Sequence, residues 1–467
     1  MHEEYNLGSF KVLITPEGYS INISPPSQRV LEILNVIPFY LDPEDITSET
    51  RREAAISRMA KELNLSLTDV EWLKAKLSGY GIIHFLLQDP KITDIWIKSD
   101  TVVLVRHQEY GDLNVFVNDK PITLTKHEVV RLIQRLASTS GSSINVRRPT
   151  LDGVRLPSGD RLTASIMEPP YAVIRKFPRH PWTLHKLVAR RMLTAKTAAL
   201  LWLFNEYMIP IMIYGPTGAG KTSLAGAIIA TTRPLRTVII IQDIPEINIA
   251  HPHAQYLYRT HNLDYSRLLS LALRSSPHYL LVGEIRSDVE AHTFAQAINV
   301  GQGGITTIHA KTSKDVLMRL RRLGLTEDEI SNVKVLVGVK VFEKGMSYDR
   351  RVTSVDLNDY GEITRVVEYD NDMWIERVED PRVFDLFTTV SEDVIRNKLR
   401  VREVCLDLLA RRYAKERLIE TAEEWYNFLK IFYSEEQNLI KYVSRPDRLS
   451  ASILHLLARV RALKVRE

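Results

Sequence analysis

IPIMIYGPTGAGKTSLAGAIIATT, residues 209–232, joins a short apolar, β-branched run to a helix-forming run through a glycine-rich loop. The loop itself is Gly215, Pro216, Thr217, Gly218, Ala219, Gly220, Lys221, Thr222 and Ser223. Glycines let successive backbone N–H groups turn toward one point, and the start of the adjoining helix adds a dipole that favours anions. In that context Lys221 is expected to reach the β- and γ-phosphates, and the Thr222 hydroxyl to face Mg2+. Strand, loop and helix in this order predict a nucleoside triphosphate site on a parallel α/β sheet.

Composition sets the frame around this loop. The chain has 467 residues, 45% hydrophobic and 25% charged, which suits an ordinary globular protein of two or three domains. A formal net charge of +5 is a weak footprint for a long polyanion, so no direct nucleic-acid contact is expected. The single cysteine, Cys405, excludes an intramolecular disulfide and a four-cysteine zinc site, and its apolar and basic neighbours predict packing. The start, MHEEYNLGSF, is polar and acidic and reads as no signal peptide. The most apolar long window, residues 197–215, holds Asn205, Glu206 and Pro210, which speaks against a membrane span. The expected location is cytoplasmic.

Outward from the loop, the pattern divides into four stretches. Residues 1–75 read as a strand pair and then helices, ETRREAAISRMAKELN and SLTDVEWLKAKLSGYG, the second with a Ser/Thr start and a glycine stop. Residues 76–182 carry short strands such as ITDIWI, TVVLVRH and YAVIRKF separated by turns like LPSGD, which predicts a small α/β domain. RHPWTLHK, residues 179–186, reads as a linker with a helix starting at Thr183. Residues 183–385 alternate strands with helices, a parallel sheet covered on both faces, with TVIIIQDI (237–244) and YLLVGEI (279–285) as central strands. Residues 386–467 read as a helical tail in which Arg and Lys outnumber Asp and Glu, suited to packing or oligomerisation.

Hydrolysis needs a carboxylate for the metal, a group to orient water, and cations for developing charge. Glu284 ends the buried run LLVGE, where doubly wound sheets gather ligands, and is the expected partner of Mg2+ through water. Glu246 in IIIQDIPEI is expected to polarise water, with Asp243 supporting it. His309 in GGITTIHAK is placed to report the γ-phosphate. Arg259 and Arg286 are cation candidates within this core, and Arg161 and Arg175 candidates from the domain before it.

Together these motifs resemble the type II and type IV secretion ATPase superfamily, the traffic ATPases. The pattern of that family is a phosphate loop, an acidic box, a GEIR strand and a histidine box. This chain carries GPTGAGKTS, QDIPE, VGEIRSDVEA and GQGGITTIHAK in that order. LLQDPKITDIWI, HQEYGDL, RPTLDGVRLPSGDRLTAS and VIRKF look like the family's nucleotide-capping domain, and the wording resembles the archaeal branch that powers archaella and type IV pili. The resemblance implies a RecA-like ATPase domain behind a small α/β domain, with ATP and Mg2+ as cofactors and Arg161 and Arg175 helping to bind the ATP. It also implies a homo-hexamer at the inner face of the cell membrane, pushing on a polytopic platform protein and indirectly on pilin-like subunits. Lys221, Glu246, Glu284, His309, Arg259 and Arg286 carry over as its catalytic set.

Three positions depart from the family pattern: Gln242 stands at the first acid of the acidic box, Gln302 at the first histidine, and His278 at the aspartate before GEIR. An amide cannot supply charge or titrate. Two other readings stay open at this point, a conjugation-type DNA-translocating ring and a slowly hydrolysing nucleotide-gated scaffold.

Overall fold

The structure is a computed structural model that describes residues 3–36, 49–177, 181–243, 245–259, 265–344, 347–416 and 418–464. Ile244, at the end of the expected strand 237–244, and Arg179 and His180 of the expected linker lie outside the described residues. The chain forms two compact units, Met1–Pro178 with Lys344–Tyr348, and Arg179–Glu343 with Asp349–Glu467.

The first unit is built on one sheet. Its strands are β1 (Glu3–Leu7), β2 (Phe10–Thr15), β3 (Gly18–Asn22), β4 (Ile92–Lys98), β5 (Leu104–His107), β6 (Gly111–Val117), β7 (Lys120–Pro121), β8 (Thr150–Arg155), β9 (Arg161–Ser165) and β10 (Tyr171–Arg175). They run in the order β1-β2-β3-β6-β5-β4-β10-β9-β8, with β7 beside β6. The alternation Phe10, Val12, Ile14 puts one face of β2 into the core, as a half-buried strand requires. The first strands join the rest through the parallel pair β3–β6, and the Tyr19 hydroxyl donates to Asp89 at 2.7 Å. The boundary expected at residue 75 therefore falls inside one folded unit. A helix that the sequence pattern did not predict, Lys126–Thr139, starts with a capping box between Thr125 and Glu128. It buries Val129, Leu132, Ile133 and Leu136, a helical spacing set among loop-like neighbours.

In the second unit the strands are β11 (Ile211–Tyr214), β12 (Val238–Gln242), β13 (Ala254–Tyr258), β14 (Tyr279–Ile285), β15 (Gly303–Ile308), β16 (Val335–Lys344), β17 (Ser347–Asp359), β18 (Glu362–Asp370) and β19 (Met373–Glu376). Their order is β13-β12-β14-β15-β11-β16-β17-β18-β19. From β13 to β16 every pair is parallel, whereas β18 pairs antiparallel with both β17 and β19. Side chains alternate between two cores. Ile211, Ile213, Ile240 and Leu281 enter one, and Met212, Tyr214, Ile241 and Val282 the other. That period of two is why these strands read as unbroken apolar runs: both faces are covered.

The tail consists of helices Pro381–Asp385, Glu392–Glu416, Ala422–Ile440 and Pro446–Lys464. Leu399, Cys405, Leu406, Phe428 and Leu456 share the first of those two cores with β11. The tail is thus part of the second unit, and Cys405 is buried packing, its thiol pushed up to about 12 by burial. Among the described residues no helix is long and apolar enough to cross a membrane.

Candidate nucleotide site

The phosphate loop leaves β11 and enters the helix Lys221–Ile229. Gly215 approaches β16 so closely that a Cβ there would lie 2.2 Å from the Val339 carbonyl oxygen. Gly220 opens the helix in the left-handed region, φ 90°, a conformation that favours glycine. Lys221 is buried, and its Nζ donates to the carbonyls of Gly215 at 3.0 Å and Pro216 at 2.9 Å. Burial lowers its pKa, while the charges of Glu284 and Glu246 oppose the shift. The ammonium thus sits folded into its own loop, within electrostatic reach of both predicted acids.

His309, just past β15, completes a chain of contacts. Its Nδ1 lies 3.3 Å from Lys221 Nζ, and its Nε2 2.7 Å from Glu284 Oε1. Burial and the Lys221 charge lower the imidazole pKa against the pull of Glu284. A neutral ring that accepts from Lys221 at Nδ1 carries its proton on Nε2, facing Glu284. The other Glu284 oxygen accepts from Arg286 Nε at 3.0 Å and Nη2 at 2.8 Å. Arg286 Nη1 then donates to Asp243 at 2.8 Å, and Arg259 lies 3.7 Å from the same carboxylate. Burial works against the Arg286 charge, but Glu284 and Asp243 more than compensate and raise its pKa.

Four of the predicted catalytic residues, Lys221, His309, Glu284 and Arg286, therefore form one linked group with Asp243 and Arg259 at its edge. Glu246 is placed by an unexpected partner. The buried Gln242 side-chain oxygen accepts from the backbone N–H of Glu246 at 3.0 Å and of Ile247 at 3.2 Å. Gln242 thus keeps the hydrogen-bonding half of what an acid would do there, namely accepting from the turn that aims Glu246. Thr222 and Ser223 stand half-buried at the helix start, and Pro216, Thr217 and Gly218 are exposed. Arg161 and Arg175 belong to the first unit. They face each other across β9 and β10, Arg161 beside Asp152 at 3.4 Å and Arg175 on Asp94 at 3.0 Å.

Among the described residues no group of three or more His, Cys, Asp or Glu could hold a metal ion. The donors at the loop, a Thr222 hydroxyl and the Glu284 carboxylate, are hard oxygen ligands of the kind Mg2+ takes together with phosphates and water.

Several contacts had no signal in the sequence. Arg350 Nε donates to the Gly218 carbonyl at 2.9 Å across 132 residues of chain. Arg319 Nη1 donates to the His309 carbonyl at 2.8 Å, holding the histidine's backbone. Beneath the loop, Tyr214 and Ser354 share a hydrogen bond of 2.8 Å, Ser313 donates to the fully buried Asp356, and Arg365 Nε donates to Asp356 at 2.8 Å. Arginines this distant in sequence could be found only from the fold that gathers them.

The family described as type II/IV secretion system protein matches residues 93–447. An uncharacterized protein of Methanocaldococcus jannaschii is 31% identical over 63% of this chain and 56% of its own length. A second from the same organism is 27% identical over 62% of this chain and 42% of its length. The chain thus spans about half the length of these relatives. The conjugal transfer protein TrbB of Rhizobium radiobacter is 31% identical over 51% of this chain and 73% of its length. Among solved structures, the Legionella pneumophila ATPase DotB overlaps 76% of this chain and 92% of its own, at 16% identity and a TM-score of 0.46.

Proposed function

The chain belongs to the type II/IV secretion system protein family, and on that premise we propose that it is a Mg2+-dependent ATP hydrolase driving a type IV pilus-like filament or secretion. The observation that carries this reading is the linked group of Lys221, His309, Glu284 and Arg286 beside the phosphate loop. Bound triphosphate would draw the Lys221 ammonium from the loop carbonyls to the β- and γ-oxygens. Thr222 and Glu284 would hold Mg2+, which neutralises charge on those oxygens when bound. Glu246, aimed by Gln242, would take a proton from water, and Arg286 and Arg259 would answer charge that develops on the phosphates. His309, between Lys221 and Glu284, would register whether the γ-phosphate is present. The same reading has the protein work as a homo-hexamer, peripheral to the cytoplasmic face of the membrane, against a platform protein and indirectly on pilin-like subunits.

The test is phosphate release from ATP with Mg2+ by the purified protein, lost by about 10²–10³-fold in Lys221→Ala. Equal release from wild type and variant would remove the phosphate loop from the chemistry. A second reading, a conjugation-type ring, draws on the similarity to TrbB. Hydrolysis stimulated by DNA, with a steep fall as salt rises, would favour it.

A further inference from the structure

The phosphate loop is held from outside as well as from within. Lys221 fills its concave side, donating to Gly215 and Pro216. Arg350 Nε donates to the Gly218 carbonyl at 2.9 Å. A peptide is planar and trans, so fixing the Gly218 oxygen fixes the opposed Ala219 N–H as well. That N–H makes a long contact, 3.4 Å to the Pro216 carbonyl. Gly218 itself, at φ 75°, has the backbone freedom to let this peptide rotate.

Arg350 is well anchored for the task. Val352, on the same strand β17, donates its N–H to the Met192 carbonyl at 2.7 Å and accepts from Trp374 Nε1 at 3.0 Å. Arg351 is 7% exposed, bonded through Nη1 to the Arg350 carbonyl at 3.0 Å and through Nη2 to Asp349 at 2.9 Å. The Met192 methyl and Arg350 Cδ both lie against Gly220, 3.4 and 3.5 Å from where a Cβ would stand. Strand β17 is thus tied to Met192 and Trp374 two residues beyond the arginine, and the arginine reaches the loop from that base.

We propose that Arg350 is a positioning residue of the phosphate loop, orienting the Gly218–Ala219 peptide so that the Ala219 N–H meets the phosphates of a nucleoside di- or triphosphate. The inference rests on the nucleotide reading above only for the identity of the ligand. The orientation of the peptide is set by the chain's own contact from Arg350 to Gly218. Because the Ala219 N–H contacts phosphate in ground state and transition state alike, its misplacement raises KM and the Kd of ADP while sparing kcat.

The test compares wild type, Arg350→Gln and Arg350→Lys as full chains in two measurements. In ligand-free protein, amide hydrogen exchange over residues 215–221 is expected to rise about tenfold in Arg350→Gln, with the β11 and β12 strands unchanged. Equilibrium binding of ADP with Mg2+ is expected to weaken about tenfold, with kcat for ATP within about threefold, and Arg350→Lys to fall between. Unchanged exchange in the loop overturns the proposal. So does accelerated exchange spread evenly over the sheet, which would mark general destabilisation, and so does lost kcat with unaltered ADP affinity. Should Arg350→Gln fail to fold, Arg350→Lys decides between the same outcomes. If the wild type binds no ADP, the nucleotide reading falls, and the exchange measurement still judges Arg350.

Discussion

The second unit holds two clusters of charge that use the same residue types to opposite ends. At the candidate nucleotide site, Glu284, Asp243, Arg286, Arg259 and His309 line an open edge beside the buried Lys221, with the side chains of Arg286 and Arg259 57% and 58% exposed. Under the tail, Glu206 and Glu436 meet Arg402, Lys398 and Arg233, with Arg402 fully buried and the Glu206 side chain 1% exposed. There Glu206 accepts from Lys398 at 2.7 Å and from Arg402, and Arg402 reaches Glu436 at 2.6 Å. The Arg402 guanidinium also lies over the Trp202 and Phe432 rings, at 5.1 and 5.3 Å. Burial alone would raise the Glu206 pKa, but Arg402, Lys398 and Arg233 hold it down to about 2. In the closed cluster both carboxylates, Arg402 and Lys398 are buried, with Arg233 partly exposed at the rim. The open one keeps cations at the surface, where an added polyanion can reach them. Exposure rather than composition separates a structural ion network from a binding site.

The strongest way to break this contrast is to unbalance the closed cluster. Arg402→Met leaves Glu206 and Glu436 short of a buried cation and is expected to cost about 3–5 kcal/mol, measured as a lowered denaturation midpoint. The cluster's carboxylate gives a pH signature. With a folded pKa of about 2 against an ordinary 4.5, the stabilisation from Glu206 is present above pH 4.5 and lost as pH falls toward 2. A loss of turnover in Arg402→Met without a loss of stability would erase the distinction between the clusters.

In the open cluster, Glu246→Gln is expected to slow phosphate release about 10²-fold while ATP still binds. Unchanged release would take Glu246 out of its proposed role, and lost binding would make it a structural acid like those under the tail. The smallest effect is on His309. Burial and Lys221 hold its pKa below the ordinary 6.5, so Lys221→Met is expected to raise it in an NMR titration. The stabilisation linked to this neutral histidine is present above pH 6.5 and lost as pH falls through the lower folded value. A histidine whose titration ignores Lys221 would mean the two groups do not act together.

Much of the site was legible because phosphate chemistry constrains the local chain. A glycine loop between strand and helix, and acids at strand ends, appear in sequence in the order in which the sheet presents them. Lys221, Glu284 and His309 could be read for that reason, and the structure brings them within hydrogen-bonding distance. Arg350 and Asp356 could not, because Gly218 and Ser313, which they contact, lie 132 and 43 residues away and nothing in DRRVTSVDL differs from an ordinary strand. The helix Lys126–Thr139 escaped because its start is a Thr/Glu box amid turn-rich neighbours, a signal short enough to be overlooked. Gln242 is intermediate. Its substitution was visible, but only the structure shows its amide oxygen holding the Glu246 turn.

The sequence by itself determined the phosphate loop, the strands on either side of it and the order of the motifs, because local backbone geometry and two-sided burial leave direct marks on residue type. Only the tertiary structure decided that the strands β1 to β3 share a sheet with β4 to β10, and that the tail completes a core of the second unit. It alone set Arg350 against the loop and closed one charge cluster while leaving the other open. Those outcomes depend on which distant surfaces meet, and water excluded at such a contact leaves no periodicity in the chain.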